Sequence, residues 1–230
     1  MFQEIRIAPS VLSGDFMHMA SSIELVEDAA DWVHVDVMDG HFVPNLTMGV
    51  PFTAQLRKIT DLPLDAHLMV SNPMRQYSWF LEAGADMICM HAEVMSAEEV
   101  REAARDIHAA DKRIGVAVKP KTPVDIIEPY LDVLDMVLIM SVEPGFSGQG
   151  YIEGSEDKVA QVVALAEAAG MHPLIQVDGG IGEKTAARVA AAGADVLVCG
   201  NAFFKAADPA ASAQAIRSIA SVAQQKADQG

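Results

Sequence analysis

The chain has 230 residues, with 32 Asp and Glu against 16 Lys and Arg, so its formal net charge is -16 at pH 7 with the seven histidines neutral. Hydrophobic residues make up 51% and charged residues 21%, enough apolar surface for a large core, and the acidity speaks for solubility rather than disorder. Nucleic acid is excluded as the expected partner because phosphate neutralisation needs clustered Lys and Arg. No stretch approaches the ~18 uncharged apolar residues of a membrane span, and the amino terminus lacks a basic segment followed by an apolar one. Cys89 and Cys199 each sit inside an apolar run, which predicts buried free thiols rather than a disulfide framework. Together these features predict a cytoplasmic protein with no membrane partner.

Short apolar runs, β-branched or rich in Met, recur near 5–9, 32–38, 64–70, 87–91, 114–118, 136–141, 174–178 and 195–199. Each is a strand candidate, and the segments between them carry helical spacing. Asn72-Pro73, Thr122-Pro123 and Asp208-Pro209 place a capping side chain before a proline suited to the first helical position, and Ser96-Ala97-Glu98-Glu99 reads as a capping box. The Ala-rich segment from about 209 to 226 reads as the last helix. Asp31, Asp86 and Asp195 follow Ala at similar joints before their strands, as though one αβ turn were reused. Strict alternation without a linker predicts right-handed crossovers in a parallel sheet, and eight such units predict a (β/α)8 barrel spanning residues 1–230 as one catalytic domain. The doubly wound alternative lacks its Gly-x-Gly-x-x-Gly fingerprint.

In such a barrel chemistry belongs at the carboxyl ends of the strands. The second strand runs Val33-His34-Val35-Asp36-Val37-Met38-Asp39, and period-two alternation puts His34, Asp36 and Met38 on one face. The third ends Asp65-Ala66-His67-Leu68-Met69, the seventh ends Gln176-Val177-Asp178, and the first ends Ala8-Pro9-Ser10. His34, Asp36, His67 and Asp178 form a mixed nitrogen and oxygen set suited to one divalent zinc, iron, manganese or cobalt ion. Glycine-rich loops follow the later strands: Ser141-Val142-Glu143-Pro144-Gly145-Phe146-Ser147-Gly148-Gln149, then Asp178-Gly179-Gly180, then Gly200-Asn201. Their main-chain N–H groups suit a phosphate, which a protein of net charge -16 can attract only through local dipoles or a metal.

Ala8-Pro9-Ser10, the stretch from His34 to Asn45, His67-Leu68-Met69, Met140-Ser141-Val142-Glu143-Pro144-Gly145-Phe146 and Val177-Asp178-Gly179-Gly180-Ile181 together resemble the ribulose-phosphate 3-epimerase family. The similarity runs in order along nearly the whole chain. It implies a homo-oligomeric barrel interconverting D-ribulose 5-phosphate and D-xylulose 5-phosphate in the pentose phosphate pathway. By the same resemblance His34, Asp36, His67 and Asp178 hold the metal, and Asp36 and Asp178 double as the acid/base pair. Ser10, His67 and Asp178 would meet substrate, with Gly145, Phe146, Ser147, Gly148, Gly179, Gly180, Gly200 and Asn201 holding its phosphate. Met38, Met69 and Met140 would form an apolar wall, and His41, Phe42, His91 and Lys119 are further pocket candidates. His18, His108 and His172 read as solvated. Ser147 and Asn201 depart from the family's glycine and serine, which bears on loop shape and substrate preference. The alternatives are a D-allulose-6-phosphate 3-epimerase and a non-catalytic phosphosugar-binding barrel. A decarboxylase or aldol-type synthase is disfavoured, because the second strand lacks the lysine of their Asp-x-Lys-x-x-Asp arrangement.

Overall fold

The structure is a computed structural model that describes residues 4–229. Eight parallel strands run in chain order around it: β1 (Arg6–Pro9), β2 (Val33–Asp39), β4 (Leu64–Met69), β5 (Met87–His91), β6 (Arg113–Val118), β7 (Met136–Met140), β8 (Leu174–Asp178) and β9 (Val196–Cys199). The sheet order is β1-β9-β8-β7-β6-β5-β4-β2, with the two-residue β3 (Leu46–Thr47) antiparallel on the outer edge of β2. A parallel bridge between Ser10 and His34 joins β1 to β2 and closes the sheet on itself. The fold is therefore a (β/α)8, or TIM, barrel, and all eight predicted strands belong to it.

Alternation divides the strand residues between two cores. Val33, Val35 and Val37 of β2 face outward, into the layer between sheet and helices, with Leu64, Ala66 and Leu68 of β4 and their equivalents. The barrel interior holds a smaller apolar cluster that includes Ala8, Cys89, Ala117, Leu138 and Val198. Among these inward positions stand buried polar residues: His34, Asp36, Asp65, His67, His91 and Gln176. Burying such groups is costly unless each finds a partner, so their presence inside a barrel points to chemistry.

The helices that wrap this sheet are α1 (Met19–Glu24), α2 (Val50–Ile59), α3 (Tyr77–Glu82), α4 (Ala97–Ala109), α5 (Ser155–Ala169), α6 (Glu183–Ala191), α7 (Asn201–Phe204) and α8 (Pro209–Asp228). Two of the four predicted caps form. Ser96 and Glu99 make the capping box of α4, and Asp208 Oδ1 accepts from Ala211 N–H at 2.9 Å to start α8. Asn72 makes no cap bond, and only a short 3-10 turn, Pro73–Arg75, follows it. Thr122 does not cap either: Pro123 is the N-cap of a 3-10 segment, Val124–Val133, and the Thr122 side chain bonds Glu93 instead. Pro129, inside that segment, lacks the N–H that an α-helix would need there.

The repeated joint is a device of the fold. Asp31 Oδ2 accepts from Ile7 N–H of β1 at 2.7 Å, Asp86 Oδ2 from Leu64 N–H of β4 at 3.0 Å, and Asp195 Oδ2 from Ile175 N–H of β8 at 2.9 Å. Asp135, which does not follow Ala, repeats the contact with Ile114 N–H of β6 at 2.8 Å. Each carboxylate, just ahead of its own strand, thus holds the start of the strand before it, and the barrel is tied at its amino-terminal rim in four successive pairs.

Candidate active site

The parallel register of β2 and β4 builds the floor of the site. His34 lies opposite Asp65, Asp36 opposite His67 and Met38 opposite Met69, so three inward-facing rungs stack towards the carboxyl rim. On the lowest rung the Asp65 carboxylate accepts from His34 Nδ1 at 2.7 Å and from Gln176 Nε2 of β8 at 2.8 Å. His34 therefore turns Nε2 upward, 3.4 Å from Asp36 Oδ1, and that atom makes no hydrogen bond among the described residues. On the middle rung His67 Nδ1 lies 3.2 Å from Asp36 Oδ1, while Asp36 Oδ2 accepts from Ser10 Oγ at 2.5 Å. The top rung, Met38 and Met69, packs with Val43, Leu12 and Phe42 in an apolar cluster at the mouth.

Asp178 arrives from the end of β8. One ligand atom from each of His34, Asp36, His67 and Asp178 falls within 4.8 Å of the other three. Two imidazole nitrogens, two carboxylates and a buried nitrogen without a partner fit a divalent transition ion. The charges in this cluster are unequal. Burial works against a charged His34, yet Asp36 and Asp65 hold its pKa well above the usual imidazole value. Burial also works against a charged Asp36, but His34 and His67 hold its carboxyl well below the ordinary range. Asp178 goes the other way, pushed up to about 6 by burial and by the Asp36 charge. One carboxylate is thus held ionised while its neighbour keeps its proton up to about pH 6, close enough to neutrality to gain and lose one readily.

Above this floor opens a cavity of about 230 Å³. Ser10, Asp36, Met38, Met69, Met140, Gly145, Phe146, Ser147, Gly148, Asp178, Gly179, Gly180, Gly200 and Asn201 all line it. His34 and His67 do not: both are fully buried below its wall. Gly179 and Gly180 are fixed by their surroundings. Gly179 has φ +121° and a Cβ there would stand 2.6 Å from Val142 Cγ2; Gly180 has φ +64° and its Cβ would stand 2.5 Å from Tyr151 N. Ser141 Oγ, bonded to the Asp178 carbonyl at 2.9 Å and shared with that of Gly179 at 2.7 Å, holds the same turn. At the two departures from the family pattern, Ser147 needs no glycine conformation, since the positive φ values of its loop fall on Gly145 and Gly148. Its hydroxyl meets Ser13 Oγ at 2.5 Å, joining the loop after β7 to the one after β1.

Other expected pocket residues flank the floor. Phe42 packs against His91 with ring centroids 4.6 Å apart and the planes tilted by 46°, and Lys119 Nζ lies 3.7 Å from the Phe42 ring centre. His41 packs over its own turn through Asp39. The histidines read as solvated, His18, His108 and His172, are all exposed; His18 pairs with Asp15 and His108 with Asp135, each at 2.9 Å. Asp65, Gln176 and Glu93 are site residues that sequence reasoning misses. The alternation that picks out His67 and Asp178 also puts Asp65 and Gln176 on the same inward faces, so for those two a signal is present.

A closed parallel barrel with acid and imidazole groups gathered at the carboxyl rim is a TIM-barrel enzyme. Residues 6–204 match the Ribulose-phosphate 3 epimerase family, and this chain belongs to it. It is 46% identical over 220 residues to the ribulose-phosphate 3-epimerase of Mycobacterium tuberculosis, covering 94% of this chain and 93% of that one. The Bacillus subtilis enzyme of the same name is 43% identical, covering 89% and 94%. The chloroplastic ribulose-5-phosphate-3-epimerase of Arabidopsis thaliana is 42% identical, covering 93% and 76%. Among solved structures, KGPDC from Streptococcus mutans superposes with a TM-score of 0.73 at 15% identity, covering 96% of this chain and 99% of that one. A 3-keto-L-gulonate-6-phosphate decarboxylase from Vibrio cholerae gives 0.70 at 15% identity, covering 96% and 99%. At such identity these two show a shared fold. No helix among the described residues is long and apolar enough to cross a membrane.

Proposed function

We propose that the protein is an isomerase that inverts C3 of D-ribulose 5-phosphate to give D-xylulose 5-phosphate, with His34, Asp36, His67 and Asp178 holding one divalent ion. The observation that carries this reading is the pair Asp36 and Asp178. They come from strands separated by β9 and β1, face one cavity and sit on opposite sides of the ordinary carboxylate range. Inversion beside a ketone needs a base on one face and an acid on the other. Asp36, ionised and steadied by Ser10, removes the C3 proton; Asp178, protonated, returns one to the opposite face of the resulting enediolate. The reverse reaction exchanges their roles, and solvent exchange resets them after a single direction of turnover. When bound, a zinc, iron, manganese or cobalt ion would supply Lewis-acid stabilisation of the negative charge that develops on the sugar oxygens.

Met38, Met69 and Met140 offer the reacting carbons an apolar wall that keeps water from the carbanionic centre. The phosphate would lie against the loops of Gly145 to Gly148, Gly179, Gly180, Gly200 and Asn201, where main-chain N–H groups supply oriented dipoles. The two free buried cysteines suit a reducing compartment, consistent with the cytoplasm. The direct test is proton NMR of product formation from D-ribulose 5-phosphate, run beside D-allulose 6-phosphate with zinc-, manganese- and cobalt-loaded protein. Conversion of the pentose at least tenfold faster than the hexose supports the reading. A faster hexose replaces it, and no conversion of either leaves a binding barrel.

A further inference from the structure

His67 has two ring nitrogens with different neighbours, and only one can serve the acid cluster. Nδ1 faces Asp36 Oδ1 at 3.2 Å, while Nε2 faces His91 Nε2 at 2.9 Å. Two ring nitrogens at that distance share a single proton, so one of them donates and the other accepts. The choice is made further along. His91 Nδ1 lies 3.0 Å from Glu93 Oε2, and Glu93 Oε1 accepts from Lys119 N–H at 2.7 Å. An ionised carboxylate can only accept, so His91 must carry its proton on Nδ1 and leave Nε2 as an acceptor. A neutral His67 must then carry its proton on Nε2, which leaves the Nδ1 lone pair for a cation, while in the metal-free site a second proton on Nδ1 is donated to Asp36.

We infer that Glu93, acting through His91, is a positioning residue that sets the tautomer of His67 and so aims its Nδ1 lone pair into the site. This inference rests on the reading of His67 as a metal ligand, and gives that ligand its direction. The chain runs away from the cavity: His91 is fully buried, and neither it nor Glu93 lines the cavity wall. Its role is therefore orientation, not contact with substrate. The counterpart on the other imidazole is shorter, Asp65 alone fixing His34. Carboxylates that fix ligand imidazoles in this way are worth about 10–100-fold in metal affinity.

Glu93→Gln tests the inference sharply because the amide has only one orientation open to it. Lys119 N–H needs an acceptor, so the glutamine Oε1 must face it, and the NH2 group then donates to His91 Nδ1. His91 flips to carry Nε2–H, and His67 is forced to the Nδ1–H form. Long-range 15N–1H correlation spectra of the full-length chain at pH 8, before and after zinc addition, report both rings. We expect Nε2–H on His67 in the unsubstituted protein before zinc, and Nδ1–H on His67 in the Glu93→Gln protein. Zinc affinity, read by competition with a chelating dye, should fall about tenfold or more.

A purely structural Glu93 would lower the melting temperature and leave the His67 tautomer and zinc affinity unchanged, which would overturn the inference. So would a His67 that carries Nδ1–H without Nε2–H in the unsubstituted protein, a result that decides the matter even where the variant fails to fold. The ligand reading is tested separately by zinc binding to the unsubstituted protein and to His34→Ala. Failure of zinc to bind the former, or undiminished binding by the latter, would remove that reading whatever the tautomer.

Discussion

At the amino-terminal rim of the barrel, Asp31, Asp86, Asp135 and Asp195 each accept a main-chain N–H from the preceding strand of their pair. Basic side chains reinforce this rim: Arg217 lies beside Asp31 at 2.8 Å, Arg57 and Lys112 beside Asp86 at 3.0 and 2.6 Å, and His108 beside Asp135 at 2.9 Å. At the carboxyl rim Asp36 and Asp178 stand beside each other, with imidazoles in place of Arg or Lys and a cavity in place of a strand end. The same side chain thus serves two ends of one barrel in two ways. Where a carboxylate's oxygens are spent on fixed donors it holds strands together, and where one is set against another its proton becomes available. Stability and chemistry are separated along the barrel axis, so substitutions at the two rims should have separable effects.

The largest effect should come from Asp178→Asn. Loss of one proton-transfer group predicts a fall in kcat of about 100-fold to 10,000-fold. The same change should raise the melting temperature of the metal-free protein at pH 7. Asp178 is pushed up to about 6 in the folded state from an ordinary value of 3.8, so its contribution to stability declines as pH rises between those values. An amide removes that charge. A variant with lowered kcat and lowered melting temperature would break the comparison. The opposite pattern is expected of Asp195→Ala at the other rim, which leaves Ile175 N–H without its acceptor. The cost is about 1–3 kcal/mol, several degrees in melting temperature by calorimetry, with kcat within twofold of the unsubstituted protein.

Zinc affinity should sharpen the contrast through its pH dependence. Metal binding must displace protons held by His34 and Asp178, so affinity should weaken as pH falls, beginning above the ordinary imidazole range with His34 and continuing through about 6 with Asp178, measured by dye competition from pH 8 to pH 5. A flat profile would mean that these groups are not ligands. The smallest effect belongs to Ser147→Gly and Asn201→Ser. Both residues line the cavity and neither has a positive φ, so the exchange should alter KM for the phosphosugar less than tenfold and leave kcat unchanged.

Much of this was legible in the sequence because the chemistry is carried by residues that do not belong in an apolar interior. His34, Asp36, His67 and Asp178 stand out against Val, Leu and Met on alternating strands, and their convergence follows once the sheet closes. Closure itself, through Ser10 and His34, needs the register, which alternation alone does not supply. Asp65 is harder to single out because it lies low on β4, and its significance depends on facing His34 on the neighbouring strand and Gln176 across the barrel interior. His91 stands out only as a pocket candidate, because its partner Glu93 lies past the strand end in a turn. Asn72 and Thr122 look like caps from sequence, yet Thr122 is claimed by Glu93, a contact 29 residues back that local reading does not weigh. β3, two residues long, is too short for a periodic signal.

The most direct test of the two-carboxylate account is deuterium incorporation at C3 when D-ribulose 5-phosphate is incubated in D2O with metal-loaded protein, followed by NMR beside product formation. The account predicts deuterium in both epimers with the unsubstituted protein, and loss of net epimerisation in Asp36→Asn and Asp178→Asn alike. Epimerisation without solvent deuterium, or full activity in either variant, would contradict it.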